Sequence, residues 1–289
     1  MKHALVQKDA VPGISPEIYS PRDFAAVSEI VYSRVGIVLA EGKALLVYSR
    51  LAPRVRETGA VTFANYVELL RDDEVELNRA LASLTTNHTF FYREAHHFEH
   101  FEEHTRPNLI ANLNRRVPVR MWSAGCSSGE EVYSLIMTML GTDRIAGQSI
   151  ARGDLKVLAS DIAPHALAKA EAAVYEAKDL KPVPNELREA WTSKAGDEVT
   201  ISPVARSLVR FRSLNLLGDW PMAGKFDVIF CRNVMIYFDQ PTKERLISRF
   251  LDALKPDGLL YIGHSERVTG PAADRVQLVG PTVYRRRLP

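Results

Sequence analysis

The spacing of hydrophobic residues changes near residue 115 of this 289-residue chain. Before that point apolar side chains recur every three or four positions, which is typical of amphipathic helices. After it, short continuous apolar runs alternate with helical segments, as in proteins whose parallel strands are covered by helices on both faces. The pattern predicts a small all-helical domain followed by a larger α/β domain.

The helical domain is expected at residues 20–86, after a loose, proline-containing arm at 1–19. Ser20 and Pro21 begin the first helix, because serine caps a helix and proline suits its first position. Gly36 ends it. Further helices are predicted at 42–57, 63–73 and 74–85, and a long connecting helix at 94–114 within a linker, 87–114.

The α/β domain, 115–289, is expected to hold a mainly parallel sheet. A C-terminal hairpin turning at Gly280-Pro281 makes its last strand antiparallel to the others. Residues 175–213 break the alternation, with strand-like runs spaced too closely for a β-α-β unit. The predicted elements are strands 119–123, 155–160, 226–231 and 258–263, and helices 129–140, 163–173, 185–191 and 240–254.

Composition excludes several classes of protein. A hydrophobic content of 46% with 25% charged residues is ordinary for a globular domain, and a net charge of +2 does not indicate nucleic-acid or membrane binding. No apolar run reaches the ~20 residues of a membrane helix, and the N-terminal segment lacks a signal peptide's apolar core. The two cysteines, Cys126 and Cys231, predict free thiols and a cytoplasmic location.

The stretch 119–131, VRMWSAGCSSGEE, carries the strongest chemical signal. A strand that passes through a glycine turn into a helix builds a ligand crevice at the carboxyl edge of an α/β sheet. Glu130 and Glu131, in the first helical turn, would repel a pyrophosphate, and the dinucleotide motif G-x-G-x-x-G is absent. The turn therefore suits a ligand that carries positive charge.

Other polar residues are expected at the same edge. Asp161 ends the second strand, where it can accept ribose hydroxyls or cap the next helix, and the glycine turn one strand earlier favours the ribose role. Arg93 lies at the domain junction and could clamp a carboxylate, although capping and core packing also explain its segment. Arg232, Asn233 and Tyr237 follow the third strand and face the crevice.

Two clusters of charge or potential ligands have ordinary explanations as well. His96, His100 and His104 share a helix face, but the outer two would lie ~12 Å apart, too far to bind one zinc ion. We therefore predict no metal. A run of cations without acids in the second helix is either a solvated face or a docking surface for an acidic protein partner. Its members are Lys43, Arg50, Arg54 and Arg56.

Seven motifs, in order, resemble those of the bacterial chemotaxis receptor methyltransferases, the CheR family. They are NHTFFYRE, WSAGCSSGEE, ASD, FRSLNLL, FCRNVMIYFD, LKPDGLL and GHSE. The resemblance implies a Rossmann-like class I methyltransferase sheet with a small β-subdomain inserted at about 188–213. It also implies S-adenosylmethionine as cofactor and methylation of glutamates on chemoreceptors.

The resemblance further implies a set of site residues. Arg93 would contact the methionine carboxylate or the incoming glutamate, Glu131 the methionyl ammonium, and Asp161 the ribose. Asn215 and Leu216 would frame the adenine. The implied cofactor site is Asn87, Thr89, Arg93, Glu131, Asp161, Asn215, Leu216, Arg232 and Asn233, and the implied catalytic residues are Arg93, Arg232 and Tyr237.

The partner implied by the resemblance is the cytoplasmic helical region of a chemoreceptor. We expect a monomer that binds no nucleic acid and does not insert into the membrane. We do not expect tethering to a receptor tail, because EVTISPVARSLVRF is short and Pro203 would interrupt its hairpin. One alternative is a non-catalytic S-adenosylmethionine-binding module in a signalling complex. A nucleic-acid methyltransferase would need Asn-Pro-Pro-Tyr or a nucleophilic cysteine, whereas Cys231 leads into Arg-Asn.

Overall fold

A computed structural model describes residue 11 and residues 13–85 and 88–287. The chain divides into two compact units, 1–86 and 87–289. Most of the expected N-terminal arm lies outside the described residues. Its last residue, Tyr19, is not loose, because its ring is fully buried and packs 4.4 Å from the ring centre of Phe63. No helix in the described ranges is both long and apolar enough to cross a membrane.

The first unit is helical in its described part, as predicted. Ser20 and Asp23 form a reciprocal capping box at the start of its first helix, and Gly36 ends that helix with a left-handed φ of 68°. The helices are α1 Pro21–Val35, α2 Ala44–Glu57, α3 Phe63–Asp72 and α4 Glu74–Leu84, with a 3₁₀ turn at Glu41–Lys43.

A buried carboxylate joins three helices of this unit. Glu76, on α4, is only 2% exposed. Its Oε1 accepts hydrogen bonds from Arg54 Nε at 2.9 Å and from the Tyr66 hydroxyl at 2.7 Å, and its Oε2 forms an ion pair with Arg54. Arg54 was expected on a docking surface, but its guanidinium is used inside the helical unit. Burial alone would raise the pKa of Glu76, but the bonds from Arg54 and Tyr66 lower it.

The second unit is an α/β fold. Its helices are α5 His96–His100, α6 Arg106–Asn114, α7 Glu130–Leu140, α8 Arg144–Arg152, α9 Pro164–Ala172, α10 Asn185–Trp191, α11 Pro203–Ser207 and α12 Gln240–Ala253. Its strands are β1 Val119–Ala124, β2 Leu155–Asp161, β3 Val174–Glu176, β4 Thr192–Ala195, β5 Glu198–Ile201, β6 Val209–Ser213, β7 Phe226–Cys231, β8 Leu254–Ile262, β9 Val276–Gly280 and β10 Val283–Arg286.

The main sheet of residues 88–287 has the strand order β6-β2-β1-β7-β8-β10-β9. Strands β6, β2, β1, β7 and β8 pair in parallel, and β10 pairs antiparallel with β8, which confirms the predicted sheet. Met121 and Trp122 enter apolar clusters on opposite faces, because side chains alternate along a strand. Since β2 and β7 flank β1, the carboxyl ends of these three strands meet at one edge, where α/β sheets bind ligands.

The predicted 94–114 helix is interrupted. A π-helical turn, Phe101–Thr105, separates α5 from α6. Pro107 explains the break, because proline has no N–H to donate to the preceding turn. The hydroxyl of Thr105, the last residue of the π-helical turn, lies 2.8 Å from the Tyr261 hydroxyl of β8. The turn thus ties the connecting helix to the sheet.

The inserted β-subdomain differs from its expected form. Strands β3, β5 and β4 make a separate antiparallel sheet, whereas β6 belongs to the main sheet beside β2. The expected boundary of 188–213 was therefore wrong at both ends. Pro203 does not interrupt a hairpin, because the β4–β5 hairpin closes before it and proline begins α11. Pro203 thus gives no reason to exclude binding of a receptor tail.

We predict that Arg54→Met destabilises the helical unit by about 3 kcal/mol, because it leaves the Glu76 carboxylate buried without its cation. Urea unfolding at neutral pH measures the change. The difference in free energy of unfolding between the wild type and the variant should shrink as the pH falls below about 4.3. Protonation then removes the negative charge of Glu76, and with it the stabilising ion pair that lowers the pKa of this carboxyl.

Arg79→Met is the matched control. Arg79 contacts the same carboxylate at 3.7 Å, but it is largely exposed. Its removal should lower the free energy of unfolding by less than about 1 kcal/mol. Equal effects of the two substitutions would contradict the assigned importance of the buried pair.

Both cysteines are buried free thiols, as the sequence predicts. Burial raises the pKa of the Cys126 and Cys231 thiols well above the usual value. The native protein should therefore react slowly with a thiol reagent at neutral pH, since the thiolate is the reactive form. After denaturation without reductant, titration should find two thiols, and a smaller number would contradict the expectation.

Candidate functional site

The site begins at the turn after β1. Gly125 has a left-handed φ of 85°, and its N–H donates to Ser160 O at 2.8 Å, which aligns the turn with the end of β2. A Cβ at Gly125 would lie 2.4 Å from Val234 Cγ2 in the loop after β7. Only glycine therefore lets the segments that follow β1 and β7 approach this closely.

The acid pair at the start of α7 divides into two environments. Glu131 Oε1 accepts a hydrogen bond from the Ser123 hydroxyl at 2.7 Å, and its Oε2 lies 3.3 Å from Arg232 Nη1. Burial raises the pKa of Glu131, and the charge of Arg232 opposes that rise. Glu130 instead accepts from the Ser128 hydroxyl at 2.8 and 2.9 Å, within the first helical turn, where a carboxylate is favoured by the helix dipole.

Arg232 is the buried cation of the site. Its side chain is 2% exposed, and it forms ion pairs with Glu131 at 3.3 Å and with Glu94 at 3.4 Å. The guanidinium also donates to the backbone carbonyl of Arg93 and packs 5.4 Å from the ring centre of Phe98. The sequence had suggested that Arg232 faces an incoming substrate. Its burial instead commits the guanidinium to the two carboxylates.

Other implied site residues are partly exposed. Arg93 donates to His88 O at 2.9 Å and lies over the ring of Phe90, and its charge acts on Glu131. Tyr237 ends a 3₁₀ turn, Met235–Tyr237, that follows the Arg232 loop. Arg93 and Tyr237 are therefore more accessible than Arg232. Thr89 is also partly exposed, and Asn87 lies outside the described residues.

Asp161 fixes the backbone of the loop between β2 and α9 and of the glycine turn, although the N-cap residue of α9 is Ala163 and not Asp161. Its Oδ1 accepts the Ala163 N–H at 2.9 Å at the start of α9, and its Oδ2 accepts the Ser127 N–H at 2.8 Å from the glycine turn. Burial raises the pKa of Asp161, and these backbone bonds oppose that rise. The carboxylate is thus fixed beside the glycine turn.

The segment after β6 is anchored to the same region. Leu214 N–H donates to the backbone carbonyl of Asp161 at 3.0 Å. Asn215 Oδ1 accepts the Leu217 N–H at 3.0 Å, and Leu216 is buried. Arg249, on α12, donates to the carbonyl of Leu216 at 2.8 Å. The edge strand therefore brings Asn215 and Leu216 to the carboxyl end of β2.

Sequence reasoning missed four residues of this site. Ser123 holds Glu131, and Glu94 contacts Arg232, Asn233 and His264. Glu266 Oε2 accepts the Gly263 N–H at 2.6 Å and the Asn233 N–H at 3.2 Å. A signal was present for all four, because each of them lies within one of three motifs, NHTFFYRE, WSAGCSSGEE or GHSE.

The histidines are mainly structural. His100 lies 2.9 Å from the Tyr261 hydroxyl, and His97 Nε2 donates to the carbonyl of Pro281 at 3.1 Å. Burial lowers the pKa of His97 to about 3. Among the described residues, Glu94, His96 and His97 have potential metal-ligand atoms within 4.8 Å of one another. Arg232, however, is already paired with the Glu94 carboxylate and would repel a metal ion.

The site fits a nucleoside ligand with a cationic tail. Carboxylates at the start of α7 and at the end of β2 flank a glycine turn, and the cation nearest to Glu131 is buried in ion pairs. Such a turn can accept a sulfonium and an ammonium, whereas a diphosphate would meet the Glu130 and Glu131 carboxylates. S-adenosylmethionine carries both positive groups.

Known proteins match the chain over most of its length. The CheR methyltransferase SAM binding domain matches residues 87–284, and the CheR methyltransferase all-alpha domain matches residues 22–85. A probable chemotaxis protein methyltransferase of Rhizobium etli is 42% identical over 262 residues, which is 89% of this chain and 96% of that protein. The chemotaxis protein methyltransferase of Escherichia coli K12 is 41% identical over 272 residues, covering 92% and 91%. S-adenosylmethionine is therefore the cofactor, and the chain belongs to the CheR methyltransferase family.

Proposed function

We propose that this protein transfers the methyl group of S-adenosylmethionine to glutamate side chains of methyl-accepting chemotaxis receptors. The observation that carries the proposal is the presence of two carboxylates, Glu130 and Glu131, in the first turn of α7, which suits a cationic cofactor and not a dinucleotide. The relatives support the biological setting, because their names describe chemotaxis protein methyltransferases. The products are a glutamate methyl ester and S-adenosylhomocysteine.

The cofactor site is proposed to use side chains from each strand end. Glu131 receives the methionyl ammonium, Asp161 accepts from the ribose hydroxyls, and Asn215 and Leu216 frame the adenine. Arg93 contacts the methionine carboxylate or the incoming glutamate. The full proposed set is Asn87, Thr89, Arg93, Glu131, Asp161, Asn215, Leu216, Arg232 and Asn233. The packing of Asp161 beside the glycine turn supports this arrangement.

The reaction requires little acid–base catalysis by the protein. A glutamate with a reference pKa of about 4.3 is already ionised at neutral pH, so that no general base is needed. The cofactor, when bound, supplies an activated methyl group on a sulfonium. Opposite charges are consumed during transfer, and a site with few competing water molecules favours that change. Alignment of the reacting atoms can contribute as much as ~7–11 kcal/mol.

Arg93 and Tyr237 are proposed to hold the incoming carboxylate, since both are partly exposed. Arg232 is proposed to act on the cofactor side, because its buried guanidinium already serves Glu131 and Glu94. A second guanidinium on the substrate oxygens would weaken their nucleophilicity. In this assignment Arg93 is the cation near the nucleophile, and Arg232 is the cation beside Glu131, the acid that binds the cofactor.

Incubation with methyl-labelled S-adenosylmethionine and receptor cytoplasmic fragments should give base-labile label on the receptor. Tyr237→Phe, which removes only a hydroxyl, should lower kcat by about tenfold through loss of one charge-assisted hydrogen bond. Its affinity for S-adenosylhomocysteine should be unchanged. Cofactor binding by the wild-type protein without any transfer would overturn the proposal and favour a non-catalytic binding module.

The basic segment 43–56, formed by Lys43 of the 3₁₀ turn and the helix α2, is proposed to dock the receptor. Lys43 and Arg56 are exposed, whereas Arg50 donates to the carbonyl of Leu84 at 2.6 Å and Arg54 is paired with Glu76. The positive charge available for docking is therefore mainly that of Lys43 and Arg56, with a contribution from the partly buried Arg50. A receptor helix that presents glutamates would be attracted to such a surface.

Joint substitution Lys43→Glu and Arg56→Glu should raise KM for the receptor by about tenfold at low salt and leave kcat unchanged. The effect should shrink as salt screens exposed charges. Arg22→Glu with Arg71→Glu gives the same change of net charge at exposed positions of the same unit and should have little effect. Equal loss in both double variants would contradict a defined docking surface.

A further inference from the structure

Glu94 connects three segments of the α/β unit through one carboxylate. Its Oε1 lies 2.7 Å from His264 Nδ1 and accepts Asn233 Nδ2 at 3.2 Å. Its Oε2 accepts the His264 backbone N–H at 3.1 Å and lies 3.4 Å from Arg232 Nη2. The side chain is 10% exposed. Both oxygens are thus engaged with the loops that follow β7 and β8.

The backbone around Glu94 is strained. Tyr92 and Glu94 have φ values of 56° and 58°, in the left-handed region that costs a side-chain-bearing residue roughly 1–2 kcal/mol. Tyr92 is held there by a hydrogen bond from its N–H to the Ser134 hydroxyl at 3.1 Å, and its own hydroxyl lies 2.7 Å from that of Thr138. Strain of this kind concentrates at functional sites, where surrounding contacts fix it.

Asn233 has the same backbone conformation on the opposite side of the carboxylate. Its φ is 59°, a value that asparagine adopts more readily than most residues. Its side chain donates to Glu94 and its backbone N–H donates to Glu266 Oε2. The two acids therefore fix both the side chain and the backbone of this loop residue.

Glu94 also competes with Glu131 for the positive charge of Arg232. The guanidinium lies 3.3 Å from Glu131 and 3.4 Å from Glu94, so that two carboxylates share one cation. If Glu94 were neutral, Arg232 would pair with Glu131 alone and cancel its charge. Burial would raise the pKa of Glu94, but the hydrogen bond from His264 and the charge of Arg232 outweigh it and lower the pKa to about 2. Glu94 therefore remains ionised at neutral pH.

We propose that Glu94 is a positioning residue for the cofactor. With Glu94, two carboxylates share one guanidinium, which leaves the Glu94–Arg232–Glu131 cluster with an excess negative charge that can receive an ammonium, and Glu94 also fixes Asn233 beside that cluster. The inference rests on the proposed contact between Glu131 and the methionyl ammonium. Glu94 itself touches neither the methyl group nor the substrate carboxylate in this assignment.

The experiment compares two ligands that differ only in the amino-acid tail. S-adenosylhomocysteine carries the ammonium, whereas 5′-methylthioadenosine keeps the nucleoside and the thioether but lacks it. Glu94→Gln, which removes a charge at constant shape, should weaken S-adenosylhomocysteine binding by about tenfold, the size expected for loss of a partly buried charge interaction. Binding of 5′-methylthioadenosine should change less than about twofold. Calorimetry measures both dissociation constants.

Three further variants make the result specific. Glu99→Gln, at an exposed position of α5, should change neither constant. Glu94→Asp keeps the charge and should recover part of the affinity lost in Glu94→Gln. His264→Gln alters an exposed side chain that contacts Glu94, so that folding is preserved, and should weaken only S-adenosylhomocysteine, by about threefold.

Equal weakening of both ligands in Glu94→Gln and His264→Gln would overturn the proposal and leave Glu94 a purely structural role. Unchanged binding of both ligands would overturn it as well. Neither outcome depends on methyl transfer, so that failure of the proposed receptor reaction is detected separately. In that case the wild-type protein would bind S-adenosylhomocysteine normally but leave receptor fragments unlabelled.

Discussion

The α/β unit depends on one buried guanidinium. A cation removed from water must be paired and hydrogen-bonded, because an unpaired buried charge is strongly destabilising. The charge of Arg232 is paired with Glu131 from the first strand–helix turn and Glu94 from the connecting segment, and the guanidinium also donates to the carbonyl of Arg93. These partners are far apart in the sequence. Their convergence explains why the glycine turn, the strained segment and the β7 loop form one site.

The acids at the glycine turn define which cofactor this geometry accepts. In a dinucleotide-binding fold the helix N-terminus faces a phosphate, and the first turn does not present two carboxylates. Here Glu130 and Glu131 occupy that turn, and separate hydroxyls, from Ser128 and Ser123, hold them. The same strand–turn–helix architecture thus serves a cationic ligand when acids stand in the first helical turn.

Features governed by local pattern were predictable from the sequence. The apolar runs of β1, β2, β7 and β8 identified a buried parallel sheet, and the Gly-Pro turn identified the final hairpin. Strand β6 was assigned to the wrong sheet. It is an edge strand that buries only Val209 and Phe211, and its alternating pattern does not indicate which strand it pairs with. The use of Arg54 inside the helical unit and the burial of Arg232 depend on distant partners, which no local pattern contains.

The edge position of β6 has a consequence for the behaviour of the protein in concentrated solution. An edge strand offers unpaired backbone groups to which another chain can add, and proteins oppose this with charge. Arg210 and Arg212 project to solvent between the buried residues of β6. A second copy approaching this edge in register would bring arginines against arginines. The strand that carries Asn215 and Leu216 towards the cofactor is therefore also protected against aggregation.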